Sequence, residues 1–309
     1  NASRIADITG IPRQTVRRKL RSLSERGWIE RDQVGAYRLV SSGGESYARR
    51  DLAETDRRTI ARVAKLGADR LDSVAQIDID FAAFRSIAHS PGLLHVILWE
   101  FDPHTKDRFY YDSGKLIANP PFSGARTVDF PEPIGRQTTY YVPHGESQTL
   151  SKNIAGVQRV YIRGCFPPRA MGLVKTLHDY GMYASAPVRF EGREIQPLEF
   201  IRHYLLNSAE GDQTDIWGYS VQVEVTGRLN GNRVVCRFVT SHPPMEMWGG
   251  RRAYAKNVGI PLSIGAQMLA EGKASKKGVD GAETMLPAEE FVIELRKRDF
   301  VINESLIYL

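Results

Sequence analysis

Cysteine is scarce in this 309-residue chain: only Cys165 and Cys236 occur, far apart and in no metal-binding or redox spacing. They read as buried free thiols, which excludes a disulfide scaffold. Long apolar runs are missing too. None approaches the roughly 20 residues of a membrane-spanning helix, so the expectation is a cytoplasmic protein with no membrane partner. The chain opens at Asn1 rather than Met, which leaves the true N-terminus and any targeting segment open. Also absent is the G-x-G-x-x-G turn whose backbone approaches a dinucleotide pyrophosphate. No cofactor is therefore expected in this chain. NAD(P) enters only if a separate dinucleotide-binding domain supplies it. No Ser-His-Asp order or metal-ligand spacing stands out, and no metal is expected.

Positive charge is abundant and unevenly placed. Residues 1–70 hold 16 Lys/Arg against 9 Asp/Glu, a net of +7, while the remainder holds 26 against 27, a net of −1. These sum to the +6 of the whole chain. Such asymmetry points to one segment that faces a polyanion and a larger one that does not.

The basic segment has an order that explains its charge. Residues 3–9 read as a short helix with Ile5 and Ile8 on one face, closed by Gly10. A second helix is expected from Pro12 to Glu25, with Val16, Leu20 and Leu23 as its apolar stripe and Ile11 closing the small core. Its other face carries Arg13, Gln14, Thr15, Arg17, Arg18, Lys19 and Arg21. Two short helices across a tight turn, the second one basic, suit a reader of the DNA major groove. Arg13 and Gln14 match guanine and adenine edges, whereas Arg17, Arg18 and Lys19 suit phosphates. After Gly27, residues 28–31 and 36–40 read as a hairpin, a wing whose Arg31 and Arg38 meet the sugar-phosphate backbone. This run resembles the winged helix-turn-helix of MarR-like bacterial repressors over about 45 residues. The resemblance implies double-stranded DNA as the partner.

Residues 47 to about 75 read as one long helix, with Leu52, Ile60, Val63 and Leu66 as an apolar seam. Pairing with a twin would make a homodimer and set two reading helices one DNA turn apart. The alternative is a linker helix packed on its own module. From Ile77 onward the charge is balanced. Phe81 to Phe101 reads as helical with a break at Ser90-Pro91-Gly92. Short strands follow at 108–111, 115–118, 125–130, 137–142 and 159–164, with helices at 169–183 and 197–206. Strands 217–229 and 233–242 flank Asn230-Gly231, a strong hairpin signal. Helices at 260–271 and 287–298 end the pattern. The fold class is thus two-domain: a mainly α winged helix-turn-helix over 1–45, a linker or dimerisation helix over 46–76, and an α+β domain with a mixed or antiparallel sheet over 77–309.

Several stretches of the larger part occur in one order. They are Pro120-Pro-Phe-Ser-Gly124, Val128-Asp-Phe-Pro-Glu-Pro-Ile-Gly135, Tyr140-Tyr-Val-Pro-His144 with Glu146, the segment 157–183, and the end from Gly259-Ile-Pro261. Together they resemble the catalytic and dimerisation domain of the saccharopine dehydrogenase family, from about Phe81 onward. The resemblance implies an oxidoreductase acting on CH–NH groups of amino-acid-type secondary amines with a nicotinamide cofactor. The chain departs from the family where a dinucleotide-binding domain belongs, so it is not expected to be active alone.

The candidate ligand-binding residues are His144, Glu146, Arg163 and His242, beside Tyr141 and the further arginines Arg126 and Arg169. A histidine next to a carboxylate suits proton transfer, and arginines suit a carboxylate substrate. His242 either lines the same cleft or caps a turn. Met245, Met247 and Trp248 read as a lid or interface, and Lys273–Lys277 as a solvated loop. Three readings stay open. One is a DNA-binding regulator whose second domain dimerises or binds an amino-acid-like molecule. Another is a fragment or relic of an NAD(P)-dependent oxidoreductase. The last is a truncated or artificial fusion joined near Gln76, which expects few apolar contacts between residues 1–76 and the rest.

Overall fold

The computed structural model describes residues 13–25, 29–32, 37–42, 45–46, 60–184, 186–213, 216–243, 245–248, 253–275 and 280–309. They belong to two compact units, residues 1–56 and 57–309.

In the first unit, helix α1 (Arg13–Glu25) contains neither Gly nor Pro and buries Val16 and Leu20, one turn apart. Strands β1 (Ile29–Arg31) and β2 (Tyr37–Leu39) pair antiparallel with Ile29 opposite Leu39. A second short pair joins β3 (Ser41–Ser42) to β4 (Glu45–Ser46). The helix expected at 3–9, Gly10, Gly27, the hairpin tip at 33–36, and Leu52 lie outside the described residues.

The second unit begins with helix α2 at 60–69, where all but Lys65 and Asp69 are buried. Ile60, Val63, Leu66 and Ala68 join the main hydrophobic core together with Ile77, Val225 and Phe238. The contact is close at Gly67, where a Cβ would stand 2.8 Å from Val225 Cγ2 and 3.0 Å from Phe238. From residue 60 onward, then, the expected dimerisation seam packs on this chain's own sheet.

Strand β5 (Ser73–Phe84) follows, and it corrects two expectations. The long helix ends at residue 69 rather than 75, and residues 81–84 are strand rather than helix. The pattern Ile77-Asp78-Ile79-Asp80-Phe81 alternates with period two, so one face is apolar and the other acidic. A junction near Gln76 is corrected too, because β5 runs through that residue without a break and residues 60–68 lie in the core.

Around β5 assembles a nine-stranded sheet in the order β15-β14-β13-β5-β10-β6-β7, with β9 on β10 and β8 on β9. The strands are β6 (Phe109–Asp112), β7 (Lys115–Ala118), β8 (Arg126–Asp129), β9 (Arg136–Tyr141), β10 (Arg159–Cys165), β13 (Gly218–Leu229), β14 (Asn232–Ser241) and β15 (Val301–Tyr308). A separate hairpin pairs β11 (Val188–Phe190) with β12 (Arg193–Ile195). Among the described pairs, β5–β10 is parallel and the others are antiparallel, which makes the sheet mixed and the domain α+β. Asn230 and Gly231, both at positive φ (50° and 80°), turn β13 into β14 as their sequence predicts.

Among the described residues six further helices run eight residues or more: α3 (Pro91–Phe101), α4 (Glu146–Asn153), α5 (Pro168–Asp179), α6 (Pro197–Asn207), α7 (Ala253–Ala270) and α8 (Ala288–Arg296). Ile77, Ile79 and Phe81 of β5, Ile162 of β10, and Val221, Val223 and Val225 of β13 form one core with α2, α3 and α8. The opposite face of the same strands carries the polar residues that matter next.

Candidate functional site

Register alone builds the first cluster. Asp78 and Asp80 lie opposite Tyr161 and Arg163 on β10, and opposite Glu224 and Gln222 on β13. One face of three central strands therefore collects three acids. Arg126 of β8 reaches all of them: Nη1 is 2.9 Å from Asp80 Oδ2 and 3.4 Å from Asp78 Oδ1, and Nη2 is 2.5 Å from Glu224 Oε2. Arg163 Nη1 lies 2.9 Å from Asp78 Oδ1, and its Nε donates to the Gly124 carbonyl at 3.0 Å. Arg237 Nε donates to Glu224 Oε1 at 2.7 Å, and the Thr139 hydroxyl donates to Asp80 Oδ1 at 2.7 Å.

The charges shape one another. Burial pushes the Asp80 carboxyl above the usual range, against the pull of Arg126 and Arg163. Burial also opposes ionisation of Glu224, but Arg126 and Arg237 outweigh it and hold that carboxyl low. The Arg163 guanidinium lies beside the neighbouring rings of Tyr141 and Tyr161, 4.9 Å and 5.1 Å from their centres. With its nitrogens committed to Asp78 and Gly124, Arg163 holds strands together.

His144 belongs to a second cluster on the other face. Strand β9 ends at Tyr141, and His144 stands two residues before α4, whose first residue is Glu146. Its ring packs on Phe81, 5.1 Å centre to centre. Nδ1 lies 3.4 Å from Glu146 Oε2, and Nε2 lies 3.7 Å from Glu100 Oε1. Both glutamates are buried, and neither Glu146 oxygen nor Glu100 Oε2 has a hydrogen-bond partner. Arg108 fixes Glu100 from behind by donating to the Glu100 carbonyl at 2.6 Å, at the C-terminal end of α3. Burial disfavours the His144 cation, yet Glu146 and Glu100 overcome it and raise the imidazole to about 9. One buried imidazole between two carboxylates can hold and pass a proton.

The four expected ligand residues do not converge. His144 and Glu146 come together, but Arg163 lies on the opposite face of the sheet, level with Asp80 rather than Phe81. His242 serves the fold: its Nε2 accepts from the Tyr219 N–H at 3.0 Å and its Nδ1 contacts the Pro243 carbonyl at 2.6 Å. Its ring also stacks on Trp248 at 5.0 Å, so turn capping accounts for it and the shared cleft does not. Trp248 is itself core. Sequence reading missed Glu100, Asp78 and Asp80, whose partners lie far away along the chain. The one available signal was the Ile-Asp-Ile-Asp alternation of β5.

On α1, Arg13, Gln14, Arg17, Arg18 and Arg21 are exposed and Thr15 is half-buried, while Val16 and Leu20 are buried. Arg31 is exposed on β1, with its guanidinium 5.9 Å from the centre of the Tyr37 ring. Arg38 pairs with Glu30 across the hairpin. The side chains of Lys19 and Arg38 lie outside the description.

A model of the saccharopine dehydrogenase C-terminal domain family matches residues 104–300, more than half of the chain. This chain belongs to that family. The matched stretch holds Arg126, Arg163, Glu224, His144 and Glu146, whereas Asp78, Asp80 and Glu100 precede it on β5 and α3. The IclR helix-turn-helix model matches residues 1–33, which replaces the MarR-like resemblance with a related one. Carboxyaminopropylagmatine dehydrogenase from Synechocystis is 25% identical over 180 residues, 58% of this chain and 45% of that protein. The chain thus spans under half the length of that relative. Among solved structures, the saccharopine dehydrogenase (L-Glu forming) of Saccharomyces cerevisiae superposes with a TM-score of 0.53 at 13% identity. That match covers 80% of this chain and 71% of the yeast chain, and it shows a common fold.

A nicotinamide dinucleotide, which a dehydrogenase domain implies, is not matched by the two described strand-to-helix junctions after β5 and β10. Its pyrophosphate needs backbone N–H groups at a Gly-rich turn from strand into helix. Strand β10 enters α5 through Phe166-Pro167-Pro168, where both prolines lack an N–H. Strand β5 reaches α3 through residues 85–90, and the Ser90 hydroxyl already caps the helix by accepting from the Leu93 N–H at 3.2 Å.

Proposed function

We propose that this chain is a DNA-binding regulator whose first unit is a winged helix-turn-helix and whose saccharopine dehydrogenase-type domain binds an amino-acid-like small molecule. One observation carries the reading: α1 leaves Arg13, Gln14, Arg17, Arg18 and Arg21 exposed while it buries Val16 and Leu20. None of these arginines has a carboxylate partner among the described residues. The match of residues 1–33 to a helix-turn-helix model supports the same assignment. In this reading Arg13, Gln14 and Thr15 meet base edges, while Arg17, Arg18 and Lys19 meet phosphates. Arg31 and Arg38 place the β1–β2 wing on the backbone. The protein works as a cytoplasmic homodimer; no described helix is long and apolar enough to cross a membrane. A bound molecule shifts the populations of two arrangements of the reading helices, which requires unequal affinity for the two.

The test is a gel-shift titration of the full chain with a short duplex at rising salt. Binding at low salt that weakens steeply with salt is the expected outcome. No binding at low salt overturns the proposal.

A second reading is a partial oxidoreductase, favoured by the buried His144 between Glu100 and Glu146 and by the dehydrogenase named among its relatives. In it the dinucleotide domain comes from another chain and His144 moves the proton. Nicotinamide fluorescence, measured with and without a separate dinucleotide-binding domain, tests it. A signal unchanged under both conditions rejects it.

A further inference from the structure

A cavity opens beyond the carboxyl ends of the parallel strands β5 and β10, apart from both clusters described above. It holds about 290 Å³. Ile87, Leu173, Leu205 and Ile216, with Pro167 and Pro168, make its walls apolar. Arg85 and Arg169 are its cationic lining, and the exposed Glu210 and Gln213 complete it.

Arg85, just past the end of β5, differs from Arg126 and Arg163 of the sheet. It is only 1% exposed, yet no carboxylate pairs with it among the described residues. Its Nη1 donates to the Ser86 carbonyl at 3.1 Å and its Nη2 to the Leu93 carbonyl at 3.2 Å. The guanidinium lies 5.6 Å from the centre of the Phe166 ring and 5.0 Å from that of Tyr254. Nε is buried with no hydrogen-bond partner. A guanidinium cannot shed its proton, and a buried charge without a counter-charge is costly. Arg126 and Arg163 meet that cost with Asp78, Asp80 and Glu224. Arg85 has no such group among the described residues.

Helix α5 starts at the same cavity. Its second and third residues, Arg169 and Ala170, both line it. N–H groups in a first helical turn have no intrahelical carbonyl to reach, and they carry the positive end of the helix dipole. The Met171 N–H is already bonded to the Pro167 carbonyl at 2.9 Å, which leaves those of Arg169 and Ala170. Gln213 Oε1 accepts from Arg169 Nη1 at 2.5 Å and steadies that side chain at the cavity.

We infer that this cavity binds a small carboxylate with an apolar body. The carboxylate meets Arg85 and the first turn of α5, and the body lies against Ile87, Leu173, Leu205 and Ile216. The volume is at the lower end of ligand pockets, which run roughly 300–1,000 Å³, so it suits a molecule of about six to eight heavy atoms and not a dinucleotide. The inference deepens the reading of the α+β domain as a small-molecule binder. It stands whether or not the first unit binds DNA, which the gel shift decides separately.

The test is calorimetric titration of the full chain with 4-methylpentanoate, against 4-methylpentanamide as its neutral isostere. Saturable binding of the acid is expected, with the amide at least about tenfold weaker because it cannot supply the counter-charge. Arg85→Met is expected to weaken the acid at least about tenfold while keeping or raising the thermal midpoint without ligand, since it removes an unpaired buried charge. Leu173→Trp fills the cavity without touching the charge and is expected to abolish binding. Equal binding of acid and amide overturns the inference, as does no saturable binding of the acid at millimolar concentration. Undiminished binding by either variant does the same. If Arg85→Met does not fold, Leu173→Trp decides alone.

Discussion

Arginine does opposite things in the two units. In the α+β domain Arg126, Arg163 and Arg237 are each bonded to a carboxylate on the sheet. On α1, Arg13, Arg17, Arg18 and Arg21 are exposed, with no carboxylate partner among the described residues. Pairing consumes charge inside the fold, whereas a charge left bare on a helix face stays available to a polyanion. The difference is one of pairing and not of net charge, which is +3 for residues 1–56 (11 Lys/Arg against 8 Asp/Glu) and +3 for residues 57–309 (31 against 28). Arg85 breaks the pattern, because it is buried yet bonded to backbone carbonyls and to no carboxylate among the described residues.

The comparison breaks most visibly where a paired charge loses its partner. Asp80→Ala leaves Arg126 and Arg163 short of a fully buried acid, and urea denaturation is expected to show a loss of about 3–5 kcal/mol. A loss under about 1 kcal/mol would mean that the network contributes little to the fold.

The next effect depends on pH. The folded-state value of His144, about 9, lies above its ordinary 6.5, so the cation is favoured by folding. Its contribution is fully present below about pH 6.5 and is lost as pH rises through about 9. At most it is worth about 3 kcal/mol, at 1.36 kcal/mol per pH unit. Stability measured from pH 6 to 10 is expected to fall in the wild type and to be flatter in His144→Gln. Parallel curves would remove Glu100 and Glu146 as its partners.

A smaller effect lies inside the second unit, where α2 packs on the sheet. Gly67→Ala puts a methyl 2.8 Å from Val225 Cγ2, and overpacking of this kind costs about 1–3 kcal/mol. A neutral outcome in thermal unfolding would show that α2 does not bear on the sheet as closely as its geometry implies. Smallest of all, Arg17→Ala with Arg18→Ala is expected to leave stability within about 0.5 kcal/mol of the wild type, since both residues are exposed and unpaired.

Elements whose signals are local were legible in the sequence. The apolar spacing of Val16 and Leu20 gave α1, and Asn230-Gly231 gave the β13–β14 hairpin, because neither needs a distant partner to be recognised. Strand β5 was not read as a strand, although Ile77 to Phe81 alternate cleanly. The residues around it, from the run at 60–68 to Ala82-Ala83, favour helix on their own. What makes it a strand is long-range: β10 and β13 on either side, and Arg126, 46 residues from Asp80 and 98 from Glu224. The candidate site was half legible for the same reason. His144 and Glu146 are neighbours in the chain, whereas Glu100 reaches them only through the packing of α3. Arg163 resembled a substrate arginine because nothing local shows that Asp78 occupies it.

The central claim is that the bare arginines of α1 meet DNA phosphates. Its most direct measurement is the slope of log affinity against log salt for a short duplex, in the wild type and in the double variant Arg17→Ala with Arg18→Ala. Each phosphate contact contributes about 0.9 to that slope, so the variant is expected to bind more weakly with a slope shallower by about 1.8. An identical slope in the two proteins, or no binding by the wild type at low salt, would contradict it.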